Sequence, residues 1–358
     1  MCLMLLFACG KGDAASVENE AKPAVTEAAV ADASTPEPQP QNVQQVIITA
    51  ATSIPTEAPV TPEPTPEPTP EPTPEPTATP VPKLGVLDGK FADKFVTGGP
   101  VLTENSYQTE TLAIFITHVV DDSKTITDHT YQYFMADVYF QNMEDFQSGA
   151  AKTWAYSDRW ATESLVTIAK KHDAIFAVSG DFTLTREKGL IIRNGEEIKG
   201  KNGSTHQHDP ARDVGVIYRD GHMETFIAQN TPEEEILNDP EVWQVLGFGP
   251  ALLDENGQPM TTYNDPNGVS RANIRNVVGY CEPGHYLFVY VPPYKVRQDR
   301  TCLDFDSLSK LMCSLGCVRA YNLDGGATAG MYFNGKQVIG NGLGQNRKNQ
   351  DIYYIPKA

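Results

Sequence analysis

The sequence predicts an α+β fold, in which a mixed, hairpin-rich β-sheet core carries a few covering helices and follows a disordered Pro-rich tether. Three observations carry this reading. The first 83 of the 358 residues hold 16 of the 27 prolines. Beyond them, Asn-Gly and Asp-Gly pairs recur between short apolar runs. Two amphipathic stretches of helical period each lead directly into a short apolar strand.

Residues 10–83 hold little from which to build a core. Low hydrophobicity with many Ala, Glu, Thr and Pro residues marks a disordered segment. The unit Pro-Glu-Pro-Thr repeats from Pro62 to Pro76. Such runs favour extended polyproline II, so residues 61–82 alone reach roughly 70 Å. That is the geometry of a spacer. Its glutamates, and the lack of basic residues beside its Pro-x-x-Pro units, argue against a ligand for a proline-recognition module.

Ahead of the tether, residues 1–9 are apolar and too short to span a bilayer. Leu6-Phe7-Ala8-Cys9 resembles the end of a lipoprotein signal, with Cys9 as the lipid-bearing residue. Phe7 is bulky for that pattern, and no Lys or Arg precedes the run; a start upstream of Met1 accounts for both. The expected organisation is a remnant signal (1–9), a linker (10–83) and a folded domain (84–358). The domain is then held at the extracellular face of a membrane by a lipid anchor, or is secreted.

The formal net charge is −18, and 11 acidic but only three basic residues precede Leu84. No basic stripe appears in residues 84–358, so nucleic acid is not an expected partner. Four cysteines fall in this part: Cys281, Cys302, Cys313 and Cys317. No Cys-x-x-Cys pair marks a zinc site, and buried apolar thiols are the expected state. A disulfide between two of the more distant ones is the competing state in an exported protein.

The hairpin signals are Asn194-Gly195, Asp220-Gly221, Asn256-Gly257 and Asn334-Gly335, pairs suited to the positive φ angles of type I′ turns. Strands are expected over 214–218, 286–291 and 331–333. One helix is expected over 158–171, with Leu165, Ile168 and Ala169 on one face. A second begins near Asp306 as N-cap and stops at Gly316. Apolar strands follow these helices at 174–178 and 318–323.

Those last two strands both end in an acid beside glycine: Ser179-Gly180-Asp181-Phe182, and Asn322-Leu323-Asp324-Gly325-Gly326-Ala327-Thr328. Glycine there lets the chain turn sharply and lets a ligand approach backbone amides, which form an anion-binding nest. Two carboxylates on neighbouring strand ends also suit acid and base roles in glycosidic cleavage. Asp-Gly-Gly also occurs in ordinary turns, and on these residues alone both readings stay open. His206 and His208 alternate on one side of a strand with no third ligand nearby, so a solvent-exposed loop is expected rather than a metal site. No cofactor is implied, and a metal requirement is left open.

Residues 320–331, Ala-Tyr-Asn-Leu-Asp-Gly-Gly-Ala-Thr-Ala-Gly-Met, resemble the signature of the phosphodiester glycosidase family, Asn-Leu-Asp-Gly-Gly-Gly-Ser-Ser after a helix ending in Leu-Gly. Leu315-Gly316 supplies that helix end. Further elements fall in the family's order: Ser179-Gly180-Asp181-Phe182, Phe248-Gly249-Pro250-Ala251-Leu252, Asn273-Ile274-Arg275 to Gly279, and Arg347 ahead of the last strand. The resemblance is strongest over 170–357. It implies hydrolysis of a sugar-1-phosphodiester, of the N-acetylglucosamine-1-phosphodiester kind; that the bond lies in a cell-surface sugar-phosphate glycan is an expectation from the tether.

Carried onto this chain, the resemblance makes Asp324 and Asp181 the catalytic carboxylates. Arg275 takes the phosphate, since a guanidinium fork matches two phosphate oxygens. Gly325 and Gly326 offer amides, and Thr328, Asn322 and Arg347 are further substrate-binding candidates. A plain alternative stands beside several: an ion pair for Arg275 or Arg347, a turn cap for Asp181, simple packing for Thr328. The chain departs from the pattern at Ser179, Ile274, Ala327 and Ala329, which leaves one hydroxyl fewer after the glycines. A non-catalytic polysaccharide-binding or exopolysaccharide-assembly protein on the same fold is the rival expectation.

Overall fold

The computed structural model describes residues 89–358 apart from 183, 186–187, 206–208, 295–301 and 339–346. Cys9, the tether and the His206/His208 pair therefore lie outside the described residues.

Two antiparallel sheets form the body. The larger has seven strands in the order Val101–Leu102, Ser106–Gln108, Leu112–Asp121, Tyr131–Phe140, His285–Val291, Arg275–Glu282, Arg319–Asn322. The other has five, in the order Lys336–Val338, Met331–Phe333, Ala174–Ser179, Asp351–Pro356, Gln147–Ala150. Every pairing in both is antiparallel.

The sheets face each other across one apolar core. Phe176 meets Phe288 with ring centroids 5.2 Å apart, and Phe146 bridges Phe288 and Tyr353 at 5.3 and 5.6 Å. Along Ala174–Ser179, Ile175, Phe176 and Val178 belong to the core between the sheets, whereas Ala174 and Ala177 pack with the first helix. That helix, α1 (Leu165–Lys171), lays Leu165, Ile168 and Ala169 on the five-stranded sheet. α2 (Glu233–Asn238) buries Ile236 against a third, three-stranded sheet of Met223–Phe226, Val214–Tyr218 and Val242–Leu246. α3 (Phe305–Ser314) covers the outer face of the seven-stranded sheet with Leu308, Leu311 and Met312. The body is thus helix on sheet on sheet on helix.

The expected strands are present, with Val214–Tyr218 and Met331–Phe333 at their predicted limits. Both helices differ at their starts. Asp158 does not open α1, because its carboxylate is held by Lys152 Nζ at 2.7 Å and Thr153 Oγ1 at 2.6 Å; Ser164 caps instead, accepting from the Thr167 amide. In α3 the cap is Asp304 rather than Asp306, accepting from the Ser307 amide at 2.9 Å. Of the four turn signals, Asn194-Gly195 and Asn334-Gly335 have positive φ at both positions, as a type I′ turn requires. All four expected cysteines are free thiols, and Cys281 Sγ lies 3.9 Å from Cys317 Sγ beneath α3.

Asp145 ends a short 3₁₀ turn (Met143–Asp145) ahead of Gln147–Ala150, and burial, with help from Glu144, pushes its carboxyl up to about 6. The folded state therefore holds this proton more tightly than the unfolded chain, whose value is near 3.8. The sign follows: stability from this group is fullest below about pH 4 and falls as pH rises through about 6. Asp145→Asn is expected to remove that decline and to unfold at a higher urea concentration than the parent at pH 7. Equal midpoints at pH 7 would refute it.

Candidate active site

The two acid-glycine segments come from different sheets, Ala174–Ser179 from the five-stranded one and Arg319–Asn322 from the edge of the seven-stranded one. They are therefore not neighbouring strand ends, but meet across the sandwich. The Asp324 amide donates to the Gly180 carbonyl at 3.1 Å, and Ser179 Oγ donates to the Asp324 carbonyl at 3.3 Å. Gly325 is required by close approach, since a Cβ there would lie 2.8 Å from the Ile274 carbonyl oxygen.

This junction floors a cleft of about 500 Å³. Among its described lining residues, Arg212, Arg275 and Arg347 carry positive charge and Asp324 carries the carboxylate; Phe182, Phe248, Asn267 and Asn273 add apolar and amide surface. Three guanidinia and one carboxylate in one cleft lining suit an anion.

Each arginine is held differently. Arg275, 1% exposed, donates from Nε to the Leu303 carbonyl (3.2 Å) and from Nη2 to those of Val269 and Arg271 (2.6 and 2.5 Å), over the Phe305 ring. Burial lowers its pKa to about 10, which leaves it charged at neutral pH. The expected ion-pair alternative for Arg275 is not what the structure holds: neutral carbonyls anchor it. Arg212 donates to Asp209 Oδ2 (3.0 Å), the Phe248 carbonyl (3.3 Å) and Asn267 Oδ1 (2.9 Å). Arg347 is largely exposed, with Nη2 4.0 Å from Asp324 Oδ1.

Not every predicted site residue reaches the cleft. Asp181 is fully buried behind it, where Oδ2 accepts from Arg193 Nη2 (3.1 Å), Tyr353 Oη (2.7 Å) and the Gly247 amide (2.9 Å). Because it does not line the cleft, the carboxylate separation that distinguishes retention from inversion has no counterpart here. The Asn322 side chain is buried and donates to the Gly249 carbonyl at 2.8 Å. Thr328 Oγ1 closes its own turn on the Gly325 carbonyl at 2.6 Å. The Gly326 amide is taken by the Ile274 carbonyl (2.8 Å), while the amides of Gly325 and Ala327 make no hydrogen bond among the described residues. Arg212 and Asn267 are additions that sequence reasoning missed; no local spacing marks them, and only packing brings them to the cleft beside Phe248, the first residue of a family-like element.

Asp181 belongs to a buried network. Arg193 Nη2 also lies 3.7 Å from Asp351 Oδ2, its Nη1 donates to the Val245 and Ile192 carbonyls, and all three side chains are almost wholly buried. Burial pushes the Asp351 carboxyl up, opposed by the charge of Arg193.

Fold and cleft together place three arginines and one carboxylate in a single cleft of an antiparallel sandwich. The sequence model of the phosphodiester glycosidase family matches residues 172–355, half of the chain, and the chain belongs to that family. It is a glycosidase, a hydrolase of phosphodiester-linked sugars. The fold is similar to the catalytic domain of zebrafish N-acetylglucosamine-1-phosphodiester α-N-acetylglucosaminidase, auto-inhibited by its pro-peptide (TM-score 0.50, 19% identity, 69% of this chain and 83% of that one). A hypothetical protein from Synechocystis aligns at a TM-score of 0.49 and 13% identity, over 69% of this chain and 62% of that one. No curated protein matches the sequence.

Replacing Arg193 by Leu strands two carboxylates in the interior and is expected to lower the unfolding free energy by about 3–5 kcal/mol in urea melts. Adding Asp181→Asn and Asp351→Asn should recover part of that loss. A single-variant loss below ~1 kcal/mol, the size of an exposed pair, would show that the network carries little.

Proposed function

We propose that the protein cleaves the bond between the anomeric carbon and the phosphate oxygen of a sugar-1-phosphodiester in a cell-surface glycan. In this reading it works from the outer face of a membrane to which Cys9 is lipid-attached. The observation that carries the site is that Arg212, Arg275, Arg347 and Asp324 line one cleft.

The chemistry favours that arrangement. Breaking the C1–O bond sends its electron pair to the phosphate, which passes from a diester with one negative charge to a monoester that approaches two, its second pKa being about 6. Charge thus grows on the leaving group as the bond breaks. Arginines in place before the reaction bind that growing charge better than the ground state, which is the condition for acceleration. A leaving group of such low basicity departs without a general acid, so one carboxylate suffices at the sugar. Asp324 stabilises the positive anomeric carbon or attacks it. Water then supplies the oxygen that bonds to C1, and its proton leaves to solvent. The products are the free sugar and a phosphomonoester. Arg275 suits the phosphate because it lines the cleft and is anchored by carbonyls, with no ion pair among the described residues.

Release of sugar from UDP-N-acetylglucosamine and from N-acetylglucosamine 1-(methyl phosphate) tests this. Asp324→Asn is expected to lower release by about 10³-fold or more, the scale of losing a group that acts on developing charge. Release that survives unchanged in that variant removes Asp324 from the assignment. Arg212→Gln should weaken kcat/KM by about 10- to 100-fold, the worth of a charge-assisted hydrogen bond. No release from any diester, with glycan binding retained, would favour the polysaccharide-binding rival. Separately, Cys9→Ser should move the protein from the membrane fraction to the soluble one; unchanged membrane recovery would refute the anchor.

A further inference from the structure

Phe182 sits at the cleft in a conformation that its own chemistry disfavours. Its φ is 53°, in the left-handed region that a bulky β-carbon enters only under constraint. Its side chain nevertheless lines the cleft, and the residue is 38% exposed. The ring makes no aromatic or cation–π contact among the described residues. An exposed aromatic ring on a strained turn contributes little to a core. Glycine would adopt the turn more easily.

The constraint is identifiable. The Asp351 carboxylate accepts from two consecutive amides, that of Asp181 to Oδ2 (3.2 Å) and that of Phe182 to Oδ1 (3.0 Å). A Cβ on Gly180 would lie 2.6 Å from that carboxylate, so the turn wraps it closely. Arg193 sits between Asp351 and Asp181, and Asp181 in turn accepts from the Gly247 amide, one residue before Phe248 of the cleft wall. A fully buried charged network thus aims one exposed ring into the site. Two residues earlier, the Gly180 carbonyl accepts from the amide of Asp324, which sets the turn beside the carboxylate.

We propose that Phe182 is the platform on which the sugar ring of the scissile diester stacks, and that the Asp351–Arg193–Asp181 network is its positioning device. This rests on the reading of the cleft as a sugar-phosphodiester site and deepens it by separating the two halves of the ligand. The guanidinia take the phosphate. Phe182 takes the C–H face of the pyranose, whose hydrogens are attracted to the negative face of the aromatic ring.

The full chain and its variants are compared in two assays. The first is turnover of N-acetylglucosamine 1-(methyl phosphate), with methyl phosphate and free N-acetylglucosamine as inhibitors. The second is calorimetric binding of N-acetylglucosamine 1-phosphate. Phe182→Ala is expected to raise KM at least about tenfold and to weaken inhibition by the free sugar similarly, with inhibition by methyl phosphate unchanged. Phe182→Trp should restore the parent values to within about threefold. Asp351→Asn, checked for native circular dichroism, should reproduce the Phe182→Ala pattern and add nothing to it in the double variant. An unchanged KM, or equal losses for sugar and phosphate inhibitors, overturns the platform; additive losses overturn the positioning role. If the parent releases no sugar, the hydrolytic reading fails while calorimetry still tests the platform. Weaker sugar phosphate binding in Phe182→Ala, rescued by Trp, then supports it. Equal binding, or no binding by the parent, overturns it.

Discussion

A guanidinium with no exposed surface, that of Arg193, lies between two carboxylates drawn from distant parts of the chain, Asp181 and Asp351. Charges taken out of water persist only when they are paired and hydrogen-bonded. The surroundings meet that demand: Tyr353 and the Gly247 amide serve Asp181, the amides of Asp181 and Phe182 serve Asp351, and the carbonyls of Ile192 and Val245 serve Arg193. Four segments are thereby tied at one point, and two of them continue directly into the cleft wall, at Phe182 and Phe248. Loops of a sandwich otherwise have little to hold them. Here the geometry of the site is inherited from an ionic cluster one layer below it.

The cleft reverses the charge of the molecule that carries it. A chain of net charge −18 presents three arginines around one carboxylate. What matters to a bound anion is the local balance and how each cation is held. Arg212 shares its charge with Asp209 and Arg347 lies 4.0 Å from Asp324, whereas Arg275 is anchored by carbonyls and the Phe305 ring, with the charges of Asp265 and Asp304 acting on it.

Much of the fold was legible because it rests on local rules. Asn-Gly turns with positive φ at both positions mark the hairpins at 194–195 and 334–335, and the short apolar run at 174–178 is a buried strand. Helix starts were less legible, since Asp158 and Asp306 have the right chemistry for caps but Ser164 and Asp304 have the right place. At the site, the residues of the motif around Asp324, the carboxylate and its two glycines, line the cleft. Asp181 carries the same local signature, acid beside glycine, yet is buried behind the wall.

That contrast marks the division. Local sequence determined the turn conformations, the apolar faces, the family to which the chain belongs and the identity of the segments around the cleft, because backbone preference and periodicity act over a few residues. Which of two similar acids lines the cleft, which arginines line it too, and that Phe182 is held in a strained pose were decided only by the packing of the sheets. Those outcomes depend on partners such as Arg193, Gly247 and Asp351, brought together across the fold by the need to neutralise buried charge, and no window of the sequence contains them all.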